Sequence, residues 1–162
     1  MMQKILKGKG LWLDAKYSVR MVDVWTPMFD LSNHEKCLRK TAGAEKHIDR
    51  VAEMVVSRKA GNYDCLSLAH WLAKWYYRTY ENQRRTRRFH VMKDRCTGCG
   101  LCARQCPEHA IECRDGHPVW IKEKCTLCLK CLHHCPRFAI QYGRHTIDHG
   151  QFVYPAKPGS GK

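Results

Sequence analysis

Apolar positions fall into different patterns along the chain. Leu11-Trp12-Leu13 and Tyr17-Ser18-Val19 are short apolar runs that predict strands. Thr26-Pro27 then breaks the chain toward a loop. From Ala44 onward, Ile48, Val51, Ala52 and Val55 recur at helical spacing and predict an amphipathic helix, closed by Gly61-Asn62. Residues 64–88 predict a second helix. Asp64 is its N-cap candidate, and Leu68, Trp71, Leu72, Trp75 and Tyr76 form one stripe. Arg84, Arg85, Arg87 and Arg88 crowd its end, where cations complement the helix dipole.

Beyond residue 88 the elements shorten. Residues 89–143 read as strand, helix, strand, strand, helix, strand, with a hairpin turn at Asp115-Gly116. Ile111 flanks that turn on one side, and Val119, Trp120 and Ile121 on the other. Residues 144–162 hold few apolar side chains and end in Pro-Gly-Ser-Gly-Lys, so their last members are expected to be disordered.

An internal repeat with a period of 29 residues organises the 89–143 segment. Cys96, Cys99, Cys102, Cys106 and Pro107 recur as Cys125, Cys128, Cys131, Cys135 and Pro136, and Ala110-Ile111 recurs as Ala139-Ile140. The repeated unit predicts a pseudo-twofold βαββαβ domain. Each copy reads C-x-x-C-x-x-C-x-x-x-C-P. Three cysteines two residues apart sit on a tight loop and can grip three irons of one cubane. The fourth thiolate points away and reaches the other cubane. The expected sets are therefore Cys96, Cys99, Cys102 and Cys135 for one [4Fe–4S] cluster, and Cys125, Cys128, Cys131 and Cys106 for the second. The proline after each fourth cysteine turns the chain and removes a backbone donor.

One C-x-x-C would be weak, since zinc ribbons and redox dithiols share it. Two matched quartets in register are far more specific. Zinc sites usually combine one C-x-x-C with a distant second pair, so two zinc sites are the weaker alternative. A domain of about 55 residues buries little core and often needs metal, which makes metal binding and folding one event. The domain without iron is accordingly expected to be unfolded.

Composition refines the picture. The chain has 162 residues and 11 cysteines, with Cys37 and Cys65 apart from the cluster. No apolar run suits a signal peptide or reaches the roughly 20 residues of a membrane span. The reading is a cytoplasmic protein with reduced thiols, in which clustered cysteines mean metal rather than disulfides. A formal net charge of +14 favours acidic partners: a protein, nucleic acid or an anionic surface. Two clusters with their thiolates at about −2 each would leave the net near about +10.

Residues 89–143, with all eight ligand positions in place, resemble a bacterial-type 2[4Fe–4S] ferredoxin. That resemblance implies low-potential, outer-sphere electron transfer with no open iron site and no substrate chemistry on the clusters. The wider chain is similar to the C-terminal part of flavodoxin–ferredoxin fusion proteins (ferrodoxins) of anaerobic bacteria and archaea. The similar residues are Cys125-Thr126-Leu127-Cys128-Leu129-Lys130-Cys131-Leu132-His133-His134-Cys135-Pro136 and Ala139-Ile140-Gln141-Tyr142-Gly143. Gly10 to Arg58 resembles the last strand and helix of their flavodoxin domain. In Val19-Arg20-Met21-Val22-Asp23-Val24-Trp25, however, Val22 and Val24 replace the family's Pro and Asn, which weakens any flavin-facing role for this loop.

A flavodoxin grips the FMN phosphate in a Ser/Thr-Gly-rich loop after its first strand. The chain contains no such loop, so FMN is not expected on it, although a separate flavin-binding subunit could supply one. Leu11, Trp12 and the Val51/Val55 face are then expected to be exposed. The implied fold is α+β. Residues 1–60 form a partial α/β flavodoxin-like segment, 61–88 a connecting amphipathic helix with a basic end, 89–143 the dicluster domain and 144–162 a tail.

The implied function is a one-electron carrier, or an electron-transfer module of an oxidoreductase, rather than a catalyst by itself. Its expected partners are redox proteins with an acidic docking surface. The alternative is a nucleic-acid-associated protein with structural clusters, since the aromatic and basic helix that includes Trp71, Trp75, Tyr76, Tyr77 and Tyr80 has a composition that binds single strands. Smaller expectations complete the reading. Cys113 is a buried core residue, while Cys37 and Cys65 are structural thiols. His133 and His134 lie on the surface, Tyr142 packs in the core, and Gly100 serves either a close backbone approach or a simple turn.

Overall fold

The computed structural model describes residues 2–63 and 69–154. The chain divides into two compact units: Met1–Val22 with Arg39–Trp75, and Asp23–Leu38 with Tyr76–Lys162.

In the first unit, α1 (Met2–Lys7) ends in a turn at Gly10, and Lys7 lies over the Trp12 ring. β1 (Ala15–Tyr17) pairs in parallel with β2 (Gly61–Tyr63). Parallel neighbours need a long crossover, and the connecting chain contains α2 (His34–Val56). Tyr17 and Tyr63, opposite each other in the register, stack at 5.2 Å.

Several expectations shift here. Leu11-Trp12-Leu13 forms no strand, and Trp12 is 69% exposed, because the residues that find a partner are Ala15–Tyr17. The helix starts at His34, ten residues ahead of Ala44. The Asn33 Oδ1 accepts the Lys36 N–H at 2.9 Å, the bond that begins a helix. Gly61-Asn62 does not close α2; it opens β2. Leu11, Trp12 and Val55 are exposed as expected. The second helix is α3 (Ala69–Gln83), followed by a single 3₁₀ turn at Thr86–Arg88. Asp64, Cys65 and Leu68, and the side chains of Trp71, Leu72 and Trp75, lie outside the described residues.

In the second unit, β3 (Phe89–Val91), α4 (Leu101–Arg104), β4 (Ile111–Arg114), β5 (His117–Trp120), α5 (Lys130–His133) and β6 (Ile140–Tyr142) follow the expected order. β3 and β6 are antiparallel, with Phe89 opposite Tyr142. β4 and β5 form the hairpin, turning on Asp115 and Gly116 at φ +49° and +75°. Two successive left-handed residues match the twist of the strands they join. Phe89, Ala110, Leu127, Leu129, Leu132, Ile140 and Tyr142 make the core. Tyr142 meets Phe89 edge-on at 4.9 Å, and its hydroxyl donates to the Gln83 carbonyl at 2.7 Å. Its core role is as the sequence suggests.

A strap from outside the cysteine segment completes this unit. Residues 23–38 belong to this unit. Trp25 lies against Tyr142, and the wholly buried Thr26 offers its carbonyl to His149 Nδ1 at 2.6 Å. The Leu31 N–H donates to the His149 carbonyl at 2.7 Å. Residues 144–154 contain α6 (Thr146–His149) and the buried Phe152.

His133 is therefore not on the surface: it is 5% exposed beneath these segments. Its Nδ1 accepts the Phe152 N–H at 3.2 Å, so Nε2 carries the proton and donates to the Val24 carbonyl at 2.8 Å. Burial holds its pKa below the ordinary histidine value. No helix among the described residues is long and apolar enough to cross a membrane.

Leu132 has no exposed surface and sits at the centre of the core. Leu132→Ala is expected to cost about 2–5 kcal/mol, read as a lower urea midpoint of the iron-loaded protein. A midpoint equal to that of the unaltered protein would contradict the assigned core.

Candidate metal centre

The two cysteine loops repeat in backbone as well as in sequence. Gly98 and Gly100 are left-handed at φ +70°, and 29 residues later Leu127 and Leu129 take the same conformation at φ +53° and +55°. His109 and Phe138, at φ +48° and +49°, make a third matched pair. α4 starts directly after Gly100 and α5 directly after Leu129. Each loop thus curls twice before its helix, and the curls turn successive cysteines toward one side. α4 and α5 pack against each other.

Two clefts result. The first, open to solvent, spans about 390 Å³ and is lined by Cys96, Cys99, Cys102 and Cys135. The second, likewise open, spans about 330 Å³ and is lined by Cys125, Cys128, Cys131 and Cys106. Each receives three cysteines from one loop and one from the far end of the other helix. Among the described residues no three His, Cys, Asp or Glu side chains converge as a single ion requires.

The two crossing residues have equivalent settings. The Ala110 N–H donates to Cys106 Sγ at 3.3 Å, and the Ala139 N–H to Cys135 Sγ at 3.2 Å. The Leu127 N–H donates to Cys125 Sγ at 3.4 Å. Such donors favour the charged thiolate.

Burial acts the other way. It pushes the Cys102 thiol up to about 11, with Cys113 and Cys135 adding to the effect. It raises Cys125, and raises Cys131 most strongly. Exposed Cys99 moves down, held by the Leu101 N–H and the Thr97 side chain. Without a cation the buried members keep their protons at neutral pH. A bound metal must displace those protons.

The remaining cysteines are now placed. Cys113 is exposed, not core, and it lines the first cleft. It occupies the position matched by buried Tyr142 in the second copy, but the free end of the β4–β5 hairpin leaves it uncovered. Cys37 is buried, with its sulfur 4.0 Å from the Leu31 carbonyl, as suits a structural thiol. No disulfide involves the described cysteines. Sequence reasoning missed the His133 clamp and the role of residues 23–38; a two-residue histidine run carries no periodic signal that could have revealed either.

Residues 89–142 match the family model of the 4Fe-4S dicluster domain. This segment is a ferredoxin-type iron–sulfur domain. No curated protein and no solved structure matches the chain. The ferredoxin-type domain fits clusters by its own chemistry: soft thiol donors around both clefts, backbone N–H groups aimed at sulfur, and left-handed turns that clear the space.

Gly98 is the tightest point of the first loop, since a Cβ there would stand 2.8 Å from the Gly116 carbonyl oxygen. Gly116 has a similar φ but open space around it. Gly116→Ala should cost about 1–2 kcal/mol of left-handed strain, while Gly98→Ala should cost more and lower the iron content of the purified protein. Equal iron content and equal thermal midpoints in the two variants would contradict this account of the loop.

Proposed function

We propose that the chain carries two [4Fe–4S] clusters and passes single electrons between redox partners, as a carrier or as an electron-transfer module of a larger oxidoreductase. Cys96, Cys99, Cys102 and Cys135 hold one cluster. Cys125, Cys128, Cys131 and Cys106 hold the other. The observation that supports this most is the division of eight cysteines between two clefts, each taking one member from the opposite quartet. The exchange relates the two halves by a pseudo-twofold axis and makes each half depend on the other's last cysteine.

When bound, such clusters accept and release one electron each at low potential. The chain's own residues do the rest. The Ala110, Ala139 and Leu127 N–H groups lean on sulfur and stabilise its negative charge, which raises the potential. Pro118, Ile140 and Ala139 wall the first cleft with apolar surface. Ile111, Phe89 and Trp120 wall the second. All four protein positions at each cluster are thiols, so no side is left open for a substrate.

Anaerobic purification with iron and sulfide analysis is expected to give about eight of each per chain, together with a brown chromophore bleached by dithionite. Cys135→Ser should remove about half of that iron and spare the signal of the cluster held by Cys125, Cys128 and Cys131 in EPR of the reduced protein. A colourless protein loaded with zinc would overturn the proposal. So would a Cys135→Ser variant with its full iron complement and unchanged spectra.

A further inference from the structure

The function above leaves the point of electron entry open, and one surface of the second unit marks it. An open groove of about 1580 Å³ runs between the 3₁₀ turn with β3 and the β5 strand with the residues after it. Its rim carries Arg85, Arg87, Lys93, Lys122 and Lys124 against a single carboxylate, Glu123. Among the described residues, Lys124 is paired with Glu81 at 2.9 Å, whereas no ion pair holds Arg85, Arg87 or Lys93. The arginine cluster of the sequence is therefore split in use. Arg84 is turned inward, donating to the Cys125 carbonyl at 3.0 Å and lying over Tyr80, while Arg85 and Arg87 face the groove.

The centre of the groove is apolar. Val119 and Ile121 are 39% and 43% exposed, and a cationic rim around such a patch is the form of a protein-docking site. Beneath them Phe89 and Trp120 stack at 5.1 Å with their rings 8° from parallel. Both residues also line the cleft of Cys106, Cys125, Cys128 and Cys131. One aromatic wall thus separates the groove from the second cysteine cleft. No other contact of this kind joins the groove to the first cleft beyond Pro118.

We propose that this groove docks an acidic redox protein, a one-electron flavin or iron–sulfur protein whose carboxylates ring an apolar contact patch. Electrons then enter or leave through the Phe89–Trp120 wall at the cluster held by Cys125, Cys128, Cys131 and Cys106. One electron moves per encounter: the donor's cofactor is oxidised by one and the cluster reduced by one. A single-stranded nucleic acid suits the surface less well, because Phe89 is stacked on Trp120 and only 7% exposed, which leaves it no open face for a base. The inference rests on the electron-transfer reading above.

The test uses the iron-loaded full chain and an acidic, FMN-loaded flavodoxin as the probe. Binding is measured by calorimetry at low salt for the unaltered protein, for Arg87→Glu/Lys122→Glu, and for Lys36→Glu/Arg144→Glu, which changes net charge equally on exposed residues of the same unit that do not line the groove. The groove variant should bind about tenfold more weakly, and the control should stay close to the unaltered protein. Carbodiimide coupling of the bound pair should join flavodoxin carboxylates to Lys93 and Lys122. Equal weakening in both variants, or coupling only at lysines outside the groove, would overturn the docking site. Tighter binding of an oligothymidylate that is lost in the groove variant would overturn the choice of partner. Reduction by a small viologen mediator separates the two readings: if the mediator cannot reduce the unaltered protein, the electron-transfer function fails. If it reduces both proteins while the groove variant binds flavodoxin normally, the docking inference alone fails.

Discussion

A thiolate removed from water needs a counter-charge or an N–H donor, and in the ferredoxin-type domain backbone N–H groups already meet the sulfurs of Cys106, Cys125 and Cys135. Burial, with Cys113 and Cys135 nearby, drives Cys102 up to about 11 and keeps its proton on at neutral pH. The N–H groups of Ala110, Ala139 and Leu127 offset part of the corresponding cost at Cys106, Cys135 and Cys125. The rest falls to metal. Because sulfur is gathered from two loops and both helix ends, filling the clefts fixes the relation of α4 to α5 and with it the strands that follow each. The core of Phe89, Ala110, Leu127, Leu129, Leu132, Ile140 and Tyr142 packs beside those strands.

The two loops reach one backbone shape by different means. The first uses Gly98 and Gly100, for which a positive φ is almost free. The second forces Leu127 and Leu129 into the same conformation, at a cost of about 1–2 kcal/mol each. Both leucines are buried, at 6% and 2% exposure, and full burial of such a side chain contributes about 1.5–3 kcal/mol. Strain in the second loop is therefore offset by core. The asymmetry also shapes the surroundings: glycines leave the first loop lean beside the exposed Cys113, while leucines seat the second loop in the interior.

What the sequence made legible follows from how local each signal is. The Asp115-Gly116 hairpin and the order of elements over 89–143 are encoded within a few residues, and they appear in the structure as read. The strap formed by residues 23–38 is not local. Nothing in Val24-Trp25-Thr26 announces that its carbonyls will meet His133 and His149, more than 100 residues away. For the same reason His133 looked like a surface residue. The strand at Leu11–Leu13 failed because an apolar run becomes a strand only where a partner exists, and the partner, Gly61–Tyr63, pairs with Ala15–Tyr17. The arginine run was visible as charge, but only the fold shows that Arg84 braces Cys125 while Arg85 and Arg87 stand at the groove.

Net positive charge and thiol chemistry thus meet on one unit. The basic groove lies beside the second cleft, and the proposed exchange of Cys106 and Cys135 would couple the two clefts to each other. That exchange is the claim on which the functional account stands. Anomalous diffraction at the iron absorption edge from crystals grown anaerobically tests it most directly. The account predicts two compact iron peaks, one bounded by the sulfurs of Cys96, Cys99, Cys102 and Cys135 and the other by those of Cys125, Cys128, Cys131 and Cys106. Iron peaks whose fourth sulfur comes from the same quartet, or a map with no iron in either cleft, would contradict it.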